Sequence, residues 1–115
     1  MTAGQTPQMP ESVKVGPFRY QLVVGGPDWD VARIREKTTD LVGHCAHKSL
    51  VISTHPELVH DALCEVLVHE VLHACSNAIG QPLDTDDEEK AVAGLAPVLL
   101  GVLRENPALV AFLAS

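Results

Sequence analysis

The sequence predicts a single α+β domain in which a short antiparallel or mixed sheet, formed early in the chain, packs on helices formed later. Three observations support this class. Residues 18–24 alternate apolar and polar side chains with the period of two that is typical of a half-buried strand. From residue 58 onward the apolar residues recur at helical spacing, interrupted by Gly80, Pro82 and Pro107. At 115 residues the chain is long enough for one domain with a modest core.

Composition narrows the classes of function. The net charge is −7 with neutral histidines, and the Lys and Arg residues are scattered, whereas binding to nucleic-acid phosphates needs clustered cations. No uninterrupted apolar run approaches the ~20 residues that span a bilayer, and residues 1–10 lack a signal pattern. Three cysteines without a C-x-x-C pair fit a reducing compartment. We therefore expect a cytoplasmic protein with neither a nucleic-acid nor a membrane partner.

The first half of the chain predicts an arm, three strands and a short helix. Residues 1–12 are small and polar with two prolines, which predicts a flexible N-terminal arm before a domain that spans residues 13–115. One strand should run from Val13 to Val24, and a short helix from Asp28 to Thr38. Alternation at residues 41–45 and 50–52 predicts two further strands with a tight connection.

A long helix should follow the strands. Thr54 and Glu57 have the spacing of a capping box, and Pro56 suits a first helical turn, so the helix is expected to begin there and to end at Ile79 before Gly80. Its second half is apolar nearly all round, which predicts a buried helix.

A second helix and a short third one complete the predicted elements. The acidic residues 84–89 are favoured at a helix N-terminus, where the macrodipole stabilises negative charge. The apolar residues that follow at helical spacing predict one buried stripe, formed by Val92, Leu95, Ala96, Leu99, Leu100 and Leu103. Asn106 and Pro107 look like the cap and first turn of a last helix through Leu113.

The long helix carries the short motif His69-Glu70-Val71-Leu72-His73. Residues four apart lie on one face, so His69 and His73 can present two imidazoles to one metal ion. Glu70 lies about 100° further round the axis, where it can reach a metal-activated water. Two neutral imidazoles and a nearby carboxylate are what a zinc hydrolase needs. The structural alternative is a helix that carries two histidines by coincidence.

The third ligand of such a site is not decided by the residues alone. Catalytic zinc usually has three protein ligands, and no histidine follows His73. Among the acidic residues downstream, Glu88 and Glu89 are best placed because they lie on the first turn of the next apolar helix. Glu89 shares a face with Ala96 and Glu88 shares one with Leu95, so helix geometry leaves both open.

The runs LVHEVLHACSNAIG and DEEKAVAGLAPVLLGVLRENPALVAFL resemble small phage and actinobacterial proteins of the minimal gluzincin type. Those proteins are similar in core layout to the ImmA/IrrE-type metallopeptidases. The resemblance covers roughly residues 41–113. It implies a zincin-like fold, in which a short sheet packs on an H-E-x-x-H active-site helix and on a second helix that bears a glutamate. It also implies Zn²⁺ held by His69, His73 and Glu89, with Glu88 as the alternative third ligand.

The resemblance implies a zinc-dependent metallopeptidase in which Glu70 is the general base. A peptide or protein substrate would add along an edge strand near Ser49–Ser53, by backbone pairing. No tyrosine, histidine or arginine is an obvious candidate for stabilising an oxyanion near the zinc, and His44, His47 and His60 are the only plausible helpers. The alternative is a catalytically weak or inactive zinc-binding domain with a protein-interaction or regulatory role in a phage or its bacterial host cell.

Overall fold

A computed structural model describes residues 8–36, 41–80 and 86–115. The class is α+β, as predicted, with a four-stranded mixed sheet. The elements are, in chain order, β1 (Ser12–Val15), β2 (Phe18–Val24), α1 (Pro27–Glu36), β3 (Gly43–Ala46), β4 (Val51–Thr54), α2 (His60–Ala78), α3 (Asp86–Glu105) and α4 (Pro107–Leu113). Residues 1–7 of the predicted arm lie outside the described residues, and Ser12, assigned to that arm, is the first residue of β1.

The strands are ordered β1-β2-β4-β3. The pair β1 and β2 is antiparallel, β2 and β4 are parallel, and β4 and β3 are antiparallel. Because β4 pairs on both sides, the prediction that residues 49–53 form a sheet edge was wrong. Within the described chain, β3 is the edge strand on that side of the sheet.

The predicted strand from Val13 to Val24 is two strands. Gly16 has a φ of +57°, a conformation that glycine adopts at low cost, and the chain reverses there so that Val15 pairs with Phe18. Alternation of side chains continues on both sides of the turn, which is why the pattern alone suggested one longer strand.

The core lies between the sheet and α2. Tyr20 and Ile52 from the sheet and Ala74 from α2 are fully buried, and Leu67 and Val71 pack around them. Helix α1 packs against β3 and β4, and its Trp29 and Ala32 are buried.

Helix α2 begins later than predicted. Thr54 is the last residue of β4 and is fully buried, so it caps no helix, and α2 starts at His60 after Val59. The predicted all-round burial was also wrong, because only Glu70 and Ala74 are fully buried along the helix. The predicted stop is confirmed: the helix ends before Gly80, whose φ is +75°.

Helix α3 crosses α2 and leads into α4. Val92 and Ala96 are buried, but Leu95 and Leu103, predicted to share their stripe, are exposed. The helical spacing predicted which residues share a face of α3. It did not predict how much of that face other elements cover. Among the described residues no single helix is long and apolar enough to cross a membrane. Helices α3 and α4 meet that test only as a pair, bent by 92°.

Candidate metal centre

His69 and His73 lie side by side on α2, as their spacing predicts. Their Nε2 atoms are 3.2 Å apart, and both side chains are partly buried. Two nitrogen ligands that each sit about 2.0–2.1 Å from a tetrahedral ion are about 3.4 Å apart. The observed spacing is therefore close to that of two ligands of one metal ion.

The first turn of α3 brings Glu89 to the same point. One oxygen of its carboxylate is 2.9 Å from Nε2 of His69, and the other is 2.9 Å from Nε2 of His73. Two imidazole nitrogens and a carboxylate thus converge, and the carboxylate stays partly accessible to solvent. Nitrogen and carboxylate donors of this kind are the usual protein ligands of catalytic zinc.

Glu70 lies between the imidazoles and the sheet, where its carboxylate approaches Gly43 of β3. It is buried, and burial, followed by the negative charge of Glu89, raises its pKa to about 8. Ligand atoms of His69, Glu70 and His73 lie within 4.8 Å of one another, so these three residues are themselves a group that could hold a metal ion.

Two carboxylates therefore compete for the place of third ligand. We favour Glu89, because both of its oxygens lie 2.9 Å from an imidazole nitrogen and because it is the more exposed of the two. Glu70 is then left in the wall beside the ion, where a cation would lower its pKa and a substrate or water could exchange a proton with it.

Glu88 lies behind His73. Its carboxylate is buried, and one oxygen is 3.5 Å from Nδ1 of His73, which is too long for a good hydrogen bond but close enough for a charge contact. The two adjacent glutamates thus approach different nitrogens of one imidazole. This geometry favours Glu89 as the ligand, and it gives Glu88 the position from which carboxylates commonly orient a metal-bound histidine.

A cleft of about 250 Å³ opens beside His69 and Glu70, between β3 and α2. It is lined by Leu41, Val42, Gly43, Glu65, Val66, His69, Glu70 and Glu89. Gly43 allows the strand to approach the helix closely: a β-carbon there would lie 2.5 Å from Cγ1 of Val66 and 3.0 Å from a carboxylate oxygen of Glu70. Glycine in a strand often marks such an approach.

His47 belongs to a polar network at the far end of α2. Its Nδ1 is 3.0 Å from the hydroxyl of Tyr20, which accepts a hydrogen bond from the side chain of Asn77 at 3.1 Å. Cys45 lies nearby, with its Sγ 3.6 Å from the same nitrogen. Burial raises the pKa of Tyr20, and Asn77 partly offsets this. The network joins β2, β3 and α2, so its polar atoms are bonded within the core.

The two other histidines considered for stabilising an oxyanion, His44 and His60, also lie away from the metal ligands. His44 follows Gly43 and precedes Cys45, both of which face α2, so strand alternation directs His44 to the opposite face of the sheet. His60 is at the start of α2, where its Nε2 is 3.4 Å from Sγ of Cys64. Nine residues separate His60 from His69, which is about 13 Å along a helix.

Sequence reasoning missed the places of Glu88 and Gly43. Nothing in the sequence indicated which carboxylate would orient His73, and Glu88 appeared only as an alternative third ligand. Another carboxylate on α2, Asp61, pairs with Arg104 at 3.3 Å. The signal for Glu88 was its adjacency to Glu89, since neighbours on a helix point about 100° apart and can approach a ring from two sides.

Comparisons with models of known protein families, with curated proteins and with solved structures found no match for this chain.

Proposed function

We propose that this chain is a zinc-dependent metallopeptidase of the H-E-x-x-H…E, or gluzincin, type with a zincin-like fold. The observation that carries the proposal is the convergence of His69, His73 and Glu89. The two Nε2 atoms are 3.2 Å apart, and each lies 2.9 Å from one carboxylate oxygen of Glu89. The resemblance of the two helical runs to minimal gluzincins supports the same ligand set. The three cysteines are free, which supports a reducing compartment such as the bacterial cytoplasm.

The residues divide the work of peptide hydrolysis. Zinc, when bound, supplies positive charge that polarises the scissile carbonyl and lowers the pKa of water. Glu70 takes the proton from the attacking water and passes it to the leaving amine. Its buried position beside the cleft suits this role, because a carboxylate shielded from bulk solvent accepts a proton more readily than an exposed one. Glu88 holds the ring of His73 from behind.

The substrate in this proposal is an extended peptide that pairs with β3. In the described part of the sheet, β3 has only β4 as a neighbour. Its first residue, Gly43, lines the cleft next to Glu70. Backbone pairing along such an edge would carry a scissile bond past the metal ligands. This strand replaces residues 49–53 as the expected edge.

A specific observation favours the second candidate, a zinc-binding domain without proteolysis that serves a regulatory or protein-interaction role in a phage or its host. Among the described residues, His44, His47 and His60 all lie away from the metal ligands, and no other side chain of suitable type contacts the cleft. An oxyanion would therefore depend on zinc alone for stabilisation.

Metal content tests the site. Protein purified without chelator or metal-affinity tag should carry about one zinc per chain, and His73→Ala and Glu89→Ala should each abolish it. Glu65→Gln, which changes another cleft carboxylate, is the matched control and should keep the metal. Zinc retained by Glu89→Ala but lost by Glu88→Ala would move the third ligand to Glu88. A parent protein that takes up no added zinc would exclude the proposal.

Turnover separates the two candidate functions. Zinc-loaded protein is incubated with a peptide library, and Glu70→Gln should retain zinc while cleavage falls by about 10²–10⁴-fold. Glu65→Gln should leave the rate within a few-fold of the parent. A zinc-loaded parent that cleaves nothing, with Glu70→Gln indistinguishable from it, would favour the non-catalytic candidate.

A further inference from the structure

Helix α3 has two apolar faces, and only one is covered. Val92 and Ala96 lie on the face that packs against α2. A second stripe, Ala91, Leu95, Val98 and Val102, recurs at intervals of four, three and four residues. That is the spacing of the seam positions by which helices pack on one another. Leu95 is 51% exposed and Val98 is 64% exposed, so the stripe lies in solvent.

Helix α4 extends the exposed apolar surface. The principal contact of α4 is with α3. Four of the seven residues of α4 are large hydrophobic residues that are between 38% and 76% exposed, namely Leu109, Val110, Phe112 and Leu113. With the α3 stripe and Leu103, these residues leave roughly 630–1,050 Å² of largely apolar surface in water, if a whole residue of this size presents about 150–250 Å². Monomeric proteins seldom expose a patch of more than a few hundred Å².

The area matches what a dimer of this chain needs. A standard specific interface buries about 800 Å² on each partner. In a two-fold dimer the same patch serves both copies, so a surface that is self-complementary along one helix stripe is sufficient. An uncharged stripe with seam spacing is such a surface.

The distribution of charge also fits a second copy. After residue 90 the only charged residues are Arg104 and Glu105, which cancel, so the whole net charge of −7 lies in residues 1–90. Arg104 is already paired with Asp61 at 3.3 Å. Two acidic copies can therefore approach each other through this region without like-charge repulsion, and the region offers no charge for an oppositely charged partner to match.

We infer that this chain forms a homodimer in which the α3 stripe, centred on Leu95 and Val98, packs against the same stripe of a second copy, and α4 closes over the contact. A lipid bilayer is another apolar environment that could cover this surface. The 92° bend between α3 and α4 argues against a membrane span, because a span needs a nearly straight apolar segment.

Sedimentation equilibrium of the full chain tests the inference. The parent should have twice the 12.3 kDa mass of the chain at micromolar concentration. Val98→Glu and Leu95→Glu should each weaken dimerisation at least about 10-fold, because each places two like charges in an apolar contact. Both residues are exposed in the single chain, so the charge costs the fold little. The matched control is Ile34→Glu on α1, whose side chain is 69% exposed, and it should leave the dimer unchanged.

Three outcomes would overturn the inference. A parent that stays at 12.3 kDa up to about 100 μM would mean that no specific dimer forms, and a dimer that survives both α3 variants would place the interface elsewhere. Flotation of a monomeric parent with phosphatidylcholine vesicles, lost in Val98→Glu, would assign the surface to lipid instead. Far-ultraviolet circular dichroism of each variant checks that the fold is retained, and the mass is measured with and without zinc, so the result stands apart from the proposed activity.

Discussion

The two ends of α3 depart from the usual distribution of polar and apolar residues in opposite directions. Its first turn buries the carboxylate of Glu88 and holds Glu89 against two imidazoles. Its second half leaves Leu95, Val98 and Val102 in solvent. One helix therefore carries buried charge at one end and exposed hydrophobic side chains at the other.

The two ends fit different partners. At the first end, Glu89 and the two imidazoles form a set of nitrogen and carboxylate donors that fits a metal ion. At the second end, the exposed apolar side chains fit a protein surface, because a large apolar patch in water is costly unless another apolar surface covers it.

Removing the metal should have the largest effect on the stability of the chain. This effect should depend only on the N-terminal turn of α3, which carries Glu89. Zinc at 100 times its dissociation constant stabilises the folded chain by about 2.7 kcal/mol, which corresponds to a rise in melting temperature of about 10 °C or more for a domain of this size. Calorimetry with zinc and with chelator measures the shift. His73→Ala should melt at the same temperature in both conditions, and a parent that does so as well would contradict the site.

Enlarging Ala96 should reveal how tightly α3 packs against α2. Ala96 is fully buried against α2, so Ala96→Leu forces extra atoms into a filled space and should lower the free energy of unfolding by about 2–3 kcal/mol. Ala93→Leu is the matched control on the same helix, because Ala93 is exposed and leucine is a good helix former. Urea denaturation of both variants compares them. Equal stabilities would mean that α3 does not rest on α2 as described.

Periodicity predicted the elements better than their arrangement. The helices from residue 60 onward and the strands near residues 20, 45 and 52 follow from local alternation or helical spacing. The order β1-β2-β4-β3 does not, because β2 and β4 are separated in the chain by α1 and β3, and no local pattern records that these two strands pair in parallel. Spacing likewise could not reveal that α3 has one covered and one open apolar face.

The candidate site shows the same limit. His69 and His73 follow from the helical period, which brings residues four apart together whatever the rest of the chain does. The choice between Glu88 and Glu89 depends on how α3 crosses α2, which no local pattern records. Gly43 was not singled out, because its close approach to Glu70 exists only after β3 has paired with β4.

Adding one methyl group at two glycines should change stability in opposite directions. A β-carbon at Gly43 meets Val66 and Glu70, so Gly43→Ala should cost about 1 kcal/mol and should reduce any turnover by displacing Glu70. At Gly94, in the open part of α3, a β-carbon meets nothing within 4 Å, so Gly94→Ala should gain up to about 1 kcal/mol from helix propensity. Urea denaturation gives both values. A stabilised Gly43→Ala would mean that the strand and the helix are less closely packed.

Thiol labelling should give the smallest effect and needs no substitution. Burial, and then the charge of Glu70, raises the pKa of Cys45 to about 12, whereas Cys75 is exposed. Only the thiolate reacts, and its fraction falls tenfold for each pH unit below the pKa. At pH 8 native protein should therefore label at Cys75 within minutes while Cys45 stays unmodified until denaturant is added, as mass spectrometry of peptides would show. Between pH 7 and pH 9, labelling of Cys45 should accelerate with pH while staying far slower than that of Cys75. If Cys45 labels as fast as Cys75 at pH 8, β3 separates readily from α2. Glu70 is then not shielded from solvent as its proposed role requires.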